Sequence, residues 1–152
     1  MEEKMSIQEK QVILSLFNTI LVLVIYSIWL YNRHLSVTPE VINDFSFWGR
    51  IFVVLVPVMI GVQIVMHILF HIVNAIISRE HVPDKEDERD KLIELKSIRL
   101  SHWIFIAGFF LAMGSQALSM QPWVMFVLLI SSGFIAGMAS DIAKIFYYRR
   151  GV

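Results

Sequence analysis

Gln63, His67, His71 and Asn74 stand four, four and three residues apart in an otherwise apolar stretch. At 3.6 residues per helical turn, that spacing puts all four on one face. Polar and ionisable side chains are costly inside a bilayer, so an aligned set of them is the first place to look for function. Gly133, Gly137 and Asp141 recur at intervals of four, with Lys144 three residues on. Asn18 and His102 complete a set whose positions converge on one layer near one end of the apolar stretches. Such imidazole and carboxylate groups support three chemistries. His67 or His71 could ligate a b-type haem iron, with His102 or a symmetry-related histidine opposite. His67, His71 and Asp141 could hold a divalent transition metal, the i, i+4 histidines sharing one helix face. The same three groups could pass a proton or an ion, because histidine titrates near neutrality. The competing reading is structural: the groups hydrogen-bond one another across helices, at roughly 0.6–2 kcal/mol per contact. Residue 68 is Ile, so there is no His-Glu-x-x-His zinc-protease motif; no phosphate loop or dinucleotide fingerprint appears either. The chain has no cysteine, which removes disulfides, thiolate metal sites and cysteine nucleophiles. Nothing in the sequence argues for an enzyme.

The elements that must position these residues are membrane-spanning helices. Of the 152 residues 57% are hydrophobic and only 17% charged. A chain this short cannot bury that excess in its own core. Four apolar runs, at about Val12–Tyr31, Ile51–Ile77, Trp103–Met120 and Trp123–Tyr147, approach or exceed the ~20 helical residues that cross a bilayer. No ten-residue alternation of a membrane barrel recurs. The first run lacks an Ala-x-Ala-like cleavage site, so it reads as a retained span rather than a signal peptide. The expectation is an all-α fold: a single integral-membrane domain over residues 1–152, built as a four-helix transmembrane bundle. The second run exceeds the usual core thickness, so it must tilt, kink at Pro57 or protrude.

The formal net charge is zero, which argues against nucleic-acid binding. Its distribution is far from even. Lys4, Lys10, Arg79, Lys85, Arg89, Lys91, Lys96, Arg99, Lys144, Arg149 and Arg150 fall on one side of the spans, and only Arg33 and Arg50 on the other. The positive-inside rule places both termini and the segment 78–102 in the cytoplasm. Trp29, Tyr31, Trp48 and Trp123 then fall at the outer interface, and Trp103, Tyr147 and Tyr148 at the inner one, as aromatic belts do.

Composition inverts between Ser78 and Leu100. Pro83 ends one helix or begins the next. The strong helix formers from Lys85 onward predict a charged helical extension of the third span, with Asp87 and Lys91 in the favourable i, i+4 order. Leu92, Leu95 and Ile98 are expected along one side of it, against the bundle or the headgroups. The acidic residues from Asp84 to Asp90 do not make a calcium-binding EF-hand: positions six and twelve are Arg89 and Leu95 instead of Gly and Glu. A solvated charged helix, open to a protein partner, is the simpler reading. The run Asp87-Glu88-Arg89-Asp90, leading into Ile93, Ile98 and Trp103, resembles uncharacterised families of small four-span bacterial membrane proteins. The likeness covers the layout of the whole chain and about ten residues of motif. It implies a bacterial inner-membrane protein and brings no activity with it.

The short Ser119–Pro122 turn makes spans three and four an antiparallel hairpin, and the longer loop 32–50 could fold back through Phe45, Phe47 and Trp48. Gly133-x-x-x-Gly137 offers a small-residue surface for close helix approach, with Gly108 and Ala112 a looser version. The sequence expectation is therefore a small inner-membrane interaction, regulatory or accessory component, assembling as a homo-oligomer through Gly133 and Gly137. The alternative is a transporter or channel subunit using the His/Asp layer; a haem- or metal-binding protein comes third.

Overall fold

The computed structural model describes residues 7–77 and 87–150. Pro83, the acidic residues before Asp87 and the most N-terminal lysine lie outside the described residues. Among the described residues there are four long helices and no strand: α1 (Ile7–Leu30), α2 (Phe45–Ile77), α3 (Glu88–Ala117) and α4 (Pro122–Arg150). All four are long and apolar enough to cross a membrane. The chain is an all-α, multi-pass integral membrane protein whose outer surface meets lipid.

Local chemistry sets the helix ends. Asp44, just before α2, accepts from the Ser46 amide (2.9 Å) and hydroxyl (2.7 Å) and sits 3.8 Å from Arg50. The Ser46 hydroxyl, then its amide, and the Arg50 charge hold the Asp44 carboxyl below its usual range. Asp87 caps α3 by accepting from Glu88 N (2.7 Å), and Glu88 and Asp90 occupy the first turn. Acidic groups there complement the positive end of the helix dipole. The extension and the third span thus form one continuous helix. Between α3 and α4, Met120 N bonds Ser115 O (3.0 Å) and Ser119 N bonds Gln116 O (2.9 Å), a Schellman closure. Ser119 takes the left-handed φ of 56° that glycine usually fills there.

The most extensive packing joins α3 to α4. Ile93, Ser97, Ala112 and Ser115 of α3 are buried, as are Ser132, Ala136 and Ala143 of α4. A Cβ added to Gly108 would overlap Ser132, so the two backbones approach closely at that point. Helix α1 packs on α4 and α2 mainly on α1, whereas among the described residues α3 packs on α4 alone. The bundle is therefore open on the side between α2 and α3. Leu92, Leu95 and Ile98 are 50%, 65% and 53% exposed, so they do not pack against the bundle. Helix α3 turns Ile93 and Ser97 toward α4 instead, continuing the stripe through Gly108, Ala112 and Ser115.

At the end where loop 31–44 closes, Phe47, Trp48 and Ile51 form a buried cluster against Tyr26, Leu30, Ile42, Trp123 and Phe126. Trp48 stacks flat on Phe126, with ring centroids 5.5 Å apart at 7°, and donates its indole N–H to Ile42 O (2.8 Å). Trp48 is only 3% exposed, so it anchors α2 to α4. The loop packs through Phe47 and Trp48 by way of a turn of π-type bonding (Tyr31–Leu35) and a short 3-10 turn (Pro39–Asn43).

Candidate functional site: a polar seam between three helices

Away from the Trp48 anchor, α1, α2 and α4 meet through polar groups. Asn18 Nδ2 donates to Gln63 Oε1 (3.3 Å). Gln63 Nε2 donates to Ser15 Oγ (3.1 Å) and reaches Thr19 Oγ1 at 3.5 Å. Asp141 of α4 lies near Ser15, Lys144 and His67. Ser15 therefore accepts from α2 and stands beside Asp141 of α4. One turn nearer the Lys144 end, Gln11 Nε2 lies 3.4 Å from His71 Nε2. The buried carboxylate of Glu9 pairs with Arg149 at 3.5 Å.

The geometry follows from matched periodicity. Helix α1 presents Gln11, Ser15, Asn18 and Thr19 at three- and four-residue steps, and α2 presents Gln63, His67 and His71 at four-residue steps. Antiparallel packing sets the stripes against each other. Asn18 and Thr19 are buried, Gln63, Asp141 and Lys144 half-buried, and His67 and His71 exposed. Asn74, toward the end of α2, is buried. His102 stands apart from the group: it is exposed on α3 and packs edge-on to Trp103 (6.3 Å). Among the described residues no buried side-chain nitrogen or oxygen lacks a hydrogen-bond partner.

As metal candidates, His67, His71 and Asp141 have different neighbours: His67 is near Asp141, while His71 faces Gln11. Among the described residues no three His, Asp or Glu side chains group so as to hold a metal ion. The glycines divide. Among the described residues Gly108 is the glycine clasped by a neighbouring helix, whereas nothing from another helix lies within 4 Å of where a Cβ on Gly133 or Gly137 would stand.

Sequence reasoning missed Ser15, Glu9 and Gln11. Ser15 carried a usable signal, since it lies three residues before Asn18 and four before Thr19 on the same face. Glu9 and Arg149 are too far apart in sequence for any local pattern to pair them. The α3 extension has its own ties to α4: Arg89 Nη2 donates to Tyr148 O (3.0 Å) and Lys96 Nζ lies 5.7 Å from the Tyr147 ring centre. Comparison with protein-family models, curated proteins and solved structures found no match to this chain.

Proposed function

We propose that this chain is an interaction or accessory component of the bacterial inner membrane, with both termini and the α3 extension in the cytoplasm. The observation that carries this reading is the use made of the intramembrane polar groups. Gln63 is shared among Asn18, Ser15 and Thr19, and Asp141 lies beside Ser15. A path for ions or protons needs polar groups that face water in sequence along the bilayer normal. Here Gln63, Asn18, Ser15 and Thr19 face one another and fasten α2 to α1, while the Glu9–Arg149 pair ties α1 to α4. The orientation rests on the eleven basic residues on the Lys144 side against Arg33 and Arg50 on the other. Assembly with further copies of the chain belongs to the same proposal, and crosslinking in native membranes tests it: ladders of multiples support it and monomer alone contradicts it.

Reconstitution into proteoliposomes tests the main reading. Proton and alkali-cation flux should equal that of empty liposomes, and Asp141→Asn should leave it unchanged. Flux above background that collapses in both His67→Ala and Asp141→Asn would overturn the proposal in favour of a conduit.

A further inference from the structure

Helix α3 has 30 residues and is about 45 Å long at 1.5 Å per residue. The hydrocarbon core takes about 30 Å of that length, so counting back from Ala117 the core ends near Ile98. Lys96 and Arg99 straddle that level, where lipid phosphates lie, and both are exposed. Aromatic rings of α4 gather the basic groups into one cluster. Lys96 Nζ is 5.7 Å from the Tyr147 ring centre, Tyr147 meets Phe146 edge-on at 5.8 Å, and Arg150 Cζ is 4.9 Å from the Phe146 ring centre. Ring faces hold a cation without neutralising it. Among the described residues the ion pairs are Arg50–Asp44 and Arg149–Glu9, so no carboxylate balances Lys96, Arg99 or Arg150. The acids of α3 turn elsewhere. Glu94 stands about 160° round the helix from Lys96 and about 140° from Arg99. Asp90 stands about 120° and 180° away, and Glu88 lies about 16 Å further from the bilayer than Arg99. On the bilayer side of the cations the same face becomes apolar: Arg99, Trp103, Ile106 and Phe110 follow at steps of four, three and four, with Trp103 and Phe110 exposed.

We infer that Lys96 and Arg99 bind the phosphate of an anionic phospholipid in the leaflet on the Lys144 side, with its acyl chains along Trp103 and Ile106. Charge supports this. The cluster offers positive charge with no acid beside it, so a zwitterionic headgroup would bring its own cation into a site with nothing to receive it. Length supports it too. One leaflet supplies about 15 Å of hydrocarbon, half of the ~30 Å core. Ile98 to Gly108 covers about the same distance along α3 at 1.5 Å per residue. The acyl chains therefore stay within their own leaflet and end near Phe110. Trp103 lies one turn inside the phosphate level, where indoles favour the membrane interface. An acidic protein segment fits less well, because it would meet the cations but not the apolar face that continues from them into the hydrocarbon.

The test uses the full chain in vesicles of phosphatidylcholine and phosphatidylglycerol, with a photoreactive diazirine high in one acyl chain of either lipid. Both leaflets carry both lipids, so either direction of insertion presents the site. Adducts mapped by mass spectrometry give the ratio of phosphatidylglycerol to phosphatidylcholine labelling at each residue. That ratio should be higher at Trp103 and Ile106 than at the exposed Ile64 and Ile68 of α2. Lys96→Gln should lower it roughly fivefold on α3 alone, the change that about 1 kcal/mol per basic residue at an anionic surface produces. Arg99→Gln should act in the same direction, and Lys96→Arg should keep the ratio. Glu94→Gln, which raises the net charge on the opposite face, should leave it unchanged. Equal ratios on the two helices would overturn the inference. So would a Lys96→Gln variant that keeps the full ratio. A Glu94→Gln variant that raises the ratio as much as Lys96→Gln lowers it would also overturn it, since bulk charge rather than the cluster would then select the lipid. None of these results bears on ion flux, so the lipid site and the accessory role fail separately.

Discussion

Helices α3 and α4 meet along small side chains, with Gly108 against Ser132 and with Ala112, Ala136 and Ala143 buried nearby. Helix α2 is held differently, by an aromatic stack at one end and by hydrogen bonds from Gln63 along its middle, and a crevice remains beside it. Lipid tails are as apolar as leucine, so apolar area alone does not drive helices together in a bilayer. What remains is close van der Waals contact or polar bonding, and this chain uses one on each flank. Backbone proximity on the α3 side leaves no room for a ligand between the helices. Polar fastening on the α2 side holds the helix at chosen points and leaves space between them.

Substitutions can break or sharpen that contrast. Gly108→Leu should have the largest effect, because overpacking a tight contact costs about 1–3 kcal/mol or more. Gly133→Ala and Gly137→Ala should leave stability almost unchanged. Thermal unfolding in detergent compares the three, and equal losses would erase the distinction between the flanks. Gln63→Leu comes next. It removes the donor to Ser15 and the acceptor for Asn18, and its cost should be about 1–2 kcal/mol from intramembrane hydrogen bonds. Loss of the α2–α1 contact should appear as faster hydrogen exchange in α2 without a change in α3. Unaltered exchange in α2 would mean that apolar packing alone secures it.

The smallest effect concerns pH at the start of α2. Ser46 and Arg50 favour the charged form of Asp44, so its folded carboxyl ionises at lower pH than an unfolded one. The resulting stabilisation is present above the unfolded carboxylate range and is lost as pH falls through the lowered folded value. Acid should therefore loosen the first turn of α2, and Asp44→Asn should abolish that sensitivity. Amide exchange at Ser46 and Phe47 measures it.

The four helices were legible in the sequence because each apolar run is long enough to cross a bilayer, and the α3–α4 hairpin because its turn is short. The rotation of each helix about its own axis was harder to read. Periodicity shows that Gly133 and Gly137 share a face and that Leu92, Leu95 and Ile98 do too, but not which face meets a neighbour. Gly108, with a weaker pattern than the Gly133 pair, turned out to be the clasped glycine. Trp48 reads as an interfacial residue by depth and is buried because loop 31–44 packs over it. In the polar seam, Asn18, Gln63, His67 and Asp141 stand out as breaks in apolar runs, whereas Ser15 does not, since a hydroxyl is unremarkable in a span. The long-range pairing of Glu9 with Arg149 has no local signature at all.

Ser15, Asn18 and Gln63 form a seam sealed by its own hydrogen bonds. The natural chain contains no cysteine, so single substitutions can be probed without background. Thiolate is the reactive form and needs water to ionise. With a membrane-impermeant maleimide applied to either face, Ser15→Cys and Asn18→Cys should stay unlabelled while the exposed control Lys10→Cys reacts. Labelling of Ser15→Cys at a rate near that of Lys10→Cys would show water in the layer and contradict the account.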